Sequence, residues 1–205
     1  MDGSDEDFVE GTWLETDYQT EGVLALEMTL EQIRRVLDDP YRWKWTIIAL
    51  HNSLQAFLVH AVSGSALLGA MTQKYQNRWL AAYEKGETLT EEGRLATVRE
   101  LVARARTLKG YVYTNPLPHN SQHDQAIYRL GDWRDRFMHF KPMSLTIEIS
   151  GFPNICRPCL EVIEHVAFES GHVFVAADEM AGRTRQALQD IRDELDRIDE
   201  AYAEP

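Results

Sequence analysis

Apolar residues recur at helical spacing over most of this chain, with polar residues filling the intervening arc. The longest such run is Tyr41–Ser63, where Trp43, Trp45, Ile47, Ile48, Leu50, Leu54, Phe57, Leu58 and Val62 predict a central buried helix. Ala70–Tyr83 reads as another helix, and Leu95, Val98, Leu101, Val102 and Ala105 form the stripe of the next, expected from Thr88 to Leu108 and ended by Gly110. At about 100° per residue, Ile127, Leu130, Trp133, Phe137 and Phe140 share one side of a fourth helix. Pro153–Glu169 buries Leu160, Ile163, Ala167 and Phe168 and turns Glu161, Glu164 and Glu169 mostly outward. In Ala177–Tyr202, the residues Ala181, Thr184, Leu188, Ile191, Leu195, Ile198 and Tyr202 alternate spacings of three and four. That heptad seam packs along a helix of its own domain or of a second protomer. Ser144–Ser150 departs from this rhythm. There Leu145, Ile147 and Ile149 alternate with polar residues, predicting a short strand with His172–Val175 as candidate partner.

Two capping boxes, Thr29-Leu-Glu-Gln32 and Thr88-Leu-Thr-Glu91, are expected to open helices, the first stopping before Pro40. Val23–Met28 is apolar but too short to show a period. Residues 1–20 are acidic and without clean periodicity, a flexible lead-in, and residues 21–205 form a single domain. The expected fold is mainly α, a helical bundle with a minor two-stranded β element.

The formal net charge of −12 argues against broad nonspecific binding to nucleic acid, because such a surface repels phosphates at long range. A local basic site survives this argument, and Arg129, Arg134, Arg136 and Lys141 supply one. No apolar leader is visible, and Arg42, Lys44, His51, Asn52, Gln55 and His60 interrupt the most apolar run, so no membrane span and a cytoplasmic location are expected. The chain has two cysteines, Cys156 and Cys159, in one Cys-x-x-Cys. With no second pair for a zinc site and no βαβ context for redox work, they read as small buried core residues. Glycine-rich phosphate loops, His-Glu-x-x-His and Ser/His/Asp arrangements are absent from the sequence, and neither metal nor cofactor is expected.

The chemistry concentrates in Gly131-Asp-Trp-Arg-Asp-Arg-Phe-Met-His-Phe-Lys-Pro142. Arg134, Asp135, Met138 and His139 fall on an arc away from the core face, with His139 at the helix end before Lys141-Pro142. Asp135 and His139 stand at i and i+4, so the carboxylate is placed to orient the imidazole and favour its charged form. A histidine there moves a proton to or from a sugar or leaving oxygen, and an arginine holds the phosphate between them. His51-Asn-Ser-Leu-Gln55, polar residues inside the central helix, either form an internal hydrogen-bond network or line a cavity, where His51 and Asn52 would support this site. His119 and His123 flank the entry to the same helix, either within reach of a ligand strand or simply as loop residues.

Arg134, the polar Asp135 and His139 make the pattern Arg-polar-x-x-x-His, which resembles the signature of the HEPN superfamily. The succession Asp39-Pro-Tyr-Arg-Trp-Lys-Trp, Ala49-Leu-His-Asn-Ser-Leu-Gln-Ala-Phe, the signature stretch, Gly151-Phe-Pro and Ala167-Phe-Glu-Ser-Gly is similar to a group of bacterial HEPN-like proteins, over about residues 22–200. The resemblance implies a helical bundle with the signature helix at a homodimer interface. For catalytic members it implies metal-independent RNA cleavage leaving a 2′,3′-cyclic phosphate, often in toxin–antitoxin or defence systems with an antitoxin or neighbouring-gene partner. The polar position is often asparagine in such proteins; aspartate here adds negative charge beside the phosphate site. Other members bind nucleotides or RNA, or only assemble, without cutting. Two readings stay open: a homodimeric endoribonuclease using Arg134, Asp135 and His139, and a non-catalytic nucleotide- or RNA-binding or assembly protein.

Overall fold

The computed structural model describes residues 12–64, 66–107, 115–139, 141–142, 144–171 and 178–203. Its elements are α1 (Tyr18–Ile33), α2 (Arg42–Ser63), α3 (Gln73–Glu84), α4 (Val98–Thr107), α5 (Ser121–Met138), α6 (Pro153–Glu164) and α7 (Asp178–Ala203), with α6 running on into a π-helical turn, His165–Glu169. The fold is all-α. Helix α2 occupies the middle and packs against α1, α4, α5 and α6, while α7 closes the outside over α1 and α6.

The central helix is buried on most of its circumference because apolar residues occupy most of its circumference. Trp43, Ile47, Leu50, Leu54, Phe57 and Leu58 are each at most 2% exposed, and each contributes roughly 1.5–3 kcal/mol of burial. Helix α1 lies close against it at Gly22, where an added Cβ would sit 3.3 Å from the Phe57 ring. The Ser53 hydroxyl donates to the Gly22 carbonyl across the same contact at 2.9 Å. The heptad seam of α7 buries Thr184, Leu188, Ile191, Leu195 and Ile198 within the same bundle. Its tip is tied to the centre by Trp43 Nε1, which donates to the Tyr202 hydroxyl at 2.9 Å. Both cysteines are free and fully buried in α6, and burial raises both thiol pKa values, Cys156 to about 12.

Three expectations need correction. Helix α1 starts at Tyr18, where the Asp17 carboxylate caps the Gln19 and Thr20 amides at 2.9 and 2.8 Å, so Thr29 lies inside a helix. Thr29 is fully buried and its hydroxyl donates back to the Ala25 carbonyl, a bond that imitates a cap locally without starting anything. Helix α4 begins at Val98 rather than near Thr88. Residues 94–96 instead run beside residues 70–72, through Thr72 N to Arg94 O at 2.8 Å and Ala96 N to Ala70 O at 2.9 Å. The working capping box is Thr97-Val-Arg-Glu100, in which the Glu100 carboxylate takes the Thr97 amide at 2.7 Å and the Thr97 hydroxyl takes the Glu100 amide at 3.3 Å. Residues 144–149 form no strand in the structure, and their expected partner, His172–Val175, lies outside the described residues; among the described residues a single bridge joins Met71 to Leu95. None of the described helices is long and apolar enough to cross a membrane.

Candidate functional site

An aromatic cluster fixes the end of α5 that carries the signature. Trp133 meets Phe152 edge-on with centroids 5.4 Å apart and stacks on Phe137 at 5.7 Å, while Phe152 also rests on Trp43 of α2 at 5.2 Å. These rings hold the core face, so Arg134, Asp135 and Met138 are turned away from it. Helix α5 ends at Met138, and His139 is its C-cap (φ −114°, ψ 59°), its amide still donating to the Asp135 carbonyl at 2.9 Å. The His139 side chain is exposed and has no hydrogen bond or ion pair among the described residues.

Arg134 Nη1 bonds the Asp135 carboxylate at 2.7 Å. Asp135 therefore engages its neighbouring arginine, and no side-chain bond joins it to His139. Arg134 Nε is buried and lacks a hydrogen-bond partner. Arg136 pairs with Asp132 at 2.9 Å and lies over the Trp133 ring, and Lys141 is exposed just past the helix. Arg129 does not join this group. It faces a separate groove between α5 and α6, beside Asn154, Arg157 and Glu161. His123, expected near the RNA path, is instead buried in the first turn of α5 and bonded to Glu161 at 2.8 Å, which makes it a tie between α5 and α6.

The two supporting residues of α2 separate. Asn52 is exposed and lines the groove between α1 and α2. His51 is buried and lines a hollow with Arg99, Tyr128, Gly131, Asp132 and Asp135, and its Nδ1 has no hydrogen-bond partner. Burial, and after it the Arg134 charge, push the His51 pKa down to about 4, against smaller upward effects of Asp135 and Asn52. It is therefore neutral at pH 7, and it feels both signature residues of α5. Arg99 and Tyr128 escaped the sequence reading. A signal for Tyr128 was present, since Tyr128, Asp132, Asp135 and His139 follow one another at spacings of three and four along α5. Arg99 belongs to another helix, and no spacing rule connects it to this one.

The assembled chemistry is a fixed cation with one unsatisfied donor, a free imidazole one turn further on, and a neutral buried histidine behind them. Such a set can hold a phosphate and exchange a proton beside it. Among the described residues no group of three or more His, Cys, Asp or Glu is placed to hold a metal ion. Comparison with protein-family models, with curated proteins and with solved structures finds no match to this chain.

Proposed function

We propose that the protein is a homodimeric, metal-independent endoribonuclease of the HEPN type, acting in the cytoplasm as a toxin or defence effector held by an antitoxin or neighbouring-gene partner. His139 transfers the proton between the 2′-hydroxyl and the leaving oxygen, Arg134 holds the scissile phosphate, and Asp135 keeps Arg134 in place until RNA arrives. The observation that carries this reading is the pairing of an uncommitted His139 imidazole with Arg134, whose Nε is desolvated and unpartnered, at one end of α5. An unsatisfied buried guanidinium donor is costly in a resting protein, and a phosphate oxygen would satisfy it. Two-fold pairing along α5 would bring two such sets together, and the half-exposed Met138 offers apolar surface for that contact.

The test is cleavage of varied single-stranded RNAs in EDTA, wild type against His139→Ala, with the product ends analysed. We expect wild-type cutting that leaves 2′,3′-cyclic phosphate and a loss of about 10²–10⁴-fold in the variant, the usual weight of a general acid–base. Equal cutting by both proteins would remove His139 from the mechanism. The second reading, a non-catalytic binding or assembly protein, is favoured by the Arg134–Asp135 ion pair, which occupies the arginine in the free protein. In that case no RNA is cut, and Arg134→Ala shifts the dimer equilibrium instead.

A further inference from the structure

The hollow framed by α2, α5 and the start of α4 has features that a phosphate site alone leaves unexplained. Its volume is about 280 Å³, just under the ~300–1,000 Å³ of small-molecule pockets. That suits one ring system of a longer ligand. His51 lines it at 9% exposure with Nδ1 unpartnered, and a buried polar atom without a partner asks for one. Gly131 lies in the middle of α5, where glycine is the poorest helix former after proline. A Cβ at Gly131 would meet nothing within 4 Å. Packing within this chain therefore gives no reason for a bare backbone there, whereas a ligand lying against α5 does.

The lining is chemically specific. The Tyr128 ring is exposed, and the Arg99 guanidinium lies 5.8 Å from its centroid. The guanidinium lies over the face of the ring, and an aromatic ring and an arginine plane are each surfaces on which a nucleobase stacks. Arg99 enters no ion pair among the described residues. Asp132 binds Arg136 through Oδ2 and Asp135 binds Arg134 through Oδ1, so each keeps a second oxygen to accept with. The hollow thus offers carboxylate acceptors, an arginine donor and an aromatic face within one small volume.

We propose that this hollow is a base-binding subsite selective for guanine, the attached phosphate lying at Arg134. Guanine presents N1–H and N2–H together, two donors for the uncommitted oxygens of Asp132 and Asp135, and O6 with N7, two acceptors that arginine meets. Adenine lacks the two-donor edge, and pyrimidines lack N7. The inference rests on reading Arg134 as the phosphate holder. His51, uncharged at pH 7, adds a neutral contact that leaves the charge balance between Arg99 and the carboxylates undisturbed.

The test titrates the full chain in EDTA with the 5′-monophosphates of guanosine, adenosine, cytidine and uridine by calorimetry. Guanosine monophosphate should bind at least tenfold tighter than the others, and Tyr128→Ala and Gly131→Leu should each weaken it at least tenfold while helicity by circular dichroism is kept. Gly131→Ala should raise Tm and still weaken binding, a split that a merely structural glycine would not give. Equal binding of all four nucleotides, no binding up to millimolar concentration, or guanosine monophosphate binding untouched by Gly131→Leu would each overturn the subsite. RNA cleavage separates this outcome from the nuclease reading. Cutting without preference for a guanine beside the cleaved bond overturns the subsite and leaves the nuclease standing. Gly131-dependent guanosine monophosphate binding without cutting does the reverse.

Discussion

Helices α7 and α5 both carry arginines, and the signature end of α5 uses its own differently. On the α7 side, Arg197 pairs with Glu194 within the helix, but the other ion pairs reach across to other helices. Arg183 grips Glu27 of α1 through two bonds of 2.7 Å, Arg192 binds Glu164 of α6, and Arg157 of α6 binds Asp196 and Asp199. At the signature end of α5, Arg134 pairs with the next residue and Arg136 with Asp132 one turn back, while at the other end Asp124 is bound by Arg106 of α4. A pair between helices belongs to the tertiary structure, and breaking it loosens a contact. A pair within one helix can be exchanged for a phosphate while every packing contact stays as it was. Arg134 Nε and His51 Nδ1 are unpartnered at that end, as are Arg106 Nε and Nη2 and His123 Nδ1 near the start of α5. The difference marks α7 as framework and the end of α5 as a place where ligands are exchanged.

Variants can break this contrast. Leu195→Ala, deep in the α7 seam, should cost about 2–5 kcal/mol of unfolding free energy in urea, as large-to-small core changes do. Activity per folded molecule should stay unchanged; a selective loss of activity would mean that α7 shapes the site. Acidification probes the other region. His51 has a depressed pKa, so its contribution to stability is present above its ordinary value near 6.5 and is lost as pH falls toward about 4. Over that window the unfolding free energy should drop by up to about 3 kcal/mol, the Arg134 charge opposing protonation and Asp135 easing it. His51→Gln should flatten that part of the pH profile, and an unchanged slope would place the titrating group elsewhere. The smallest effect is expected at Arg183→Ala. Both partners of its ion pair are over a third exposed, so loss of the pair should cost less than about 1 kcal/mol.

The framework was largely legible in the sequence because it is periodic. The stripes through Trp43–Val62 and Ala181–Tyr202 gave α2 and α7 almost to the residue, and the one beginning at Ile127 placed α5 without marking its start, since burial on one face leaves its mark every three or four positions. Signals that depend on a few residues failed. Thr29 and Thr88 both start a Thr-x-x-Gln/Glu pattern, yet only Thr97, which was not singled out, caps a helix. A hydroxyl three residues before a carboxylate or amide makes a cap only where the chain already turns. At the site, the residues of α5 could be read from spacing. The burial of His51, the departure of Asn52 to another groove and the approach of Arg99 depend on how three helices meet, and no single stripe records that.

The two buried thiols of α6 also make the molecule its own stopwatch. Cys156 and Cys159 have no exposed surface, and with their pKa values raised by burial neither offers a thiolate at neutral pH. A thiol-modifying reagent therefore reacts only with molecules in which α6 has momentarily lifted from the bundle, and the modification rate counts those openings. Because α5 packs directly on α6, anything that clamps α5 slows the count, so occupancy near the signature helix becomes readable from two buried sulfur atoms of its neighbour.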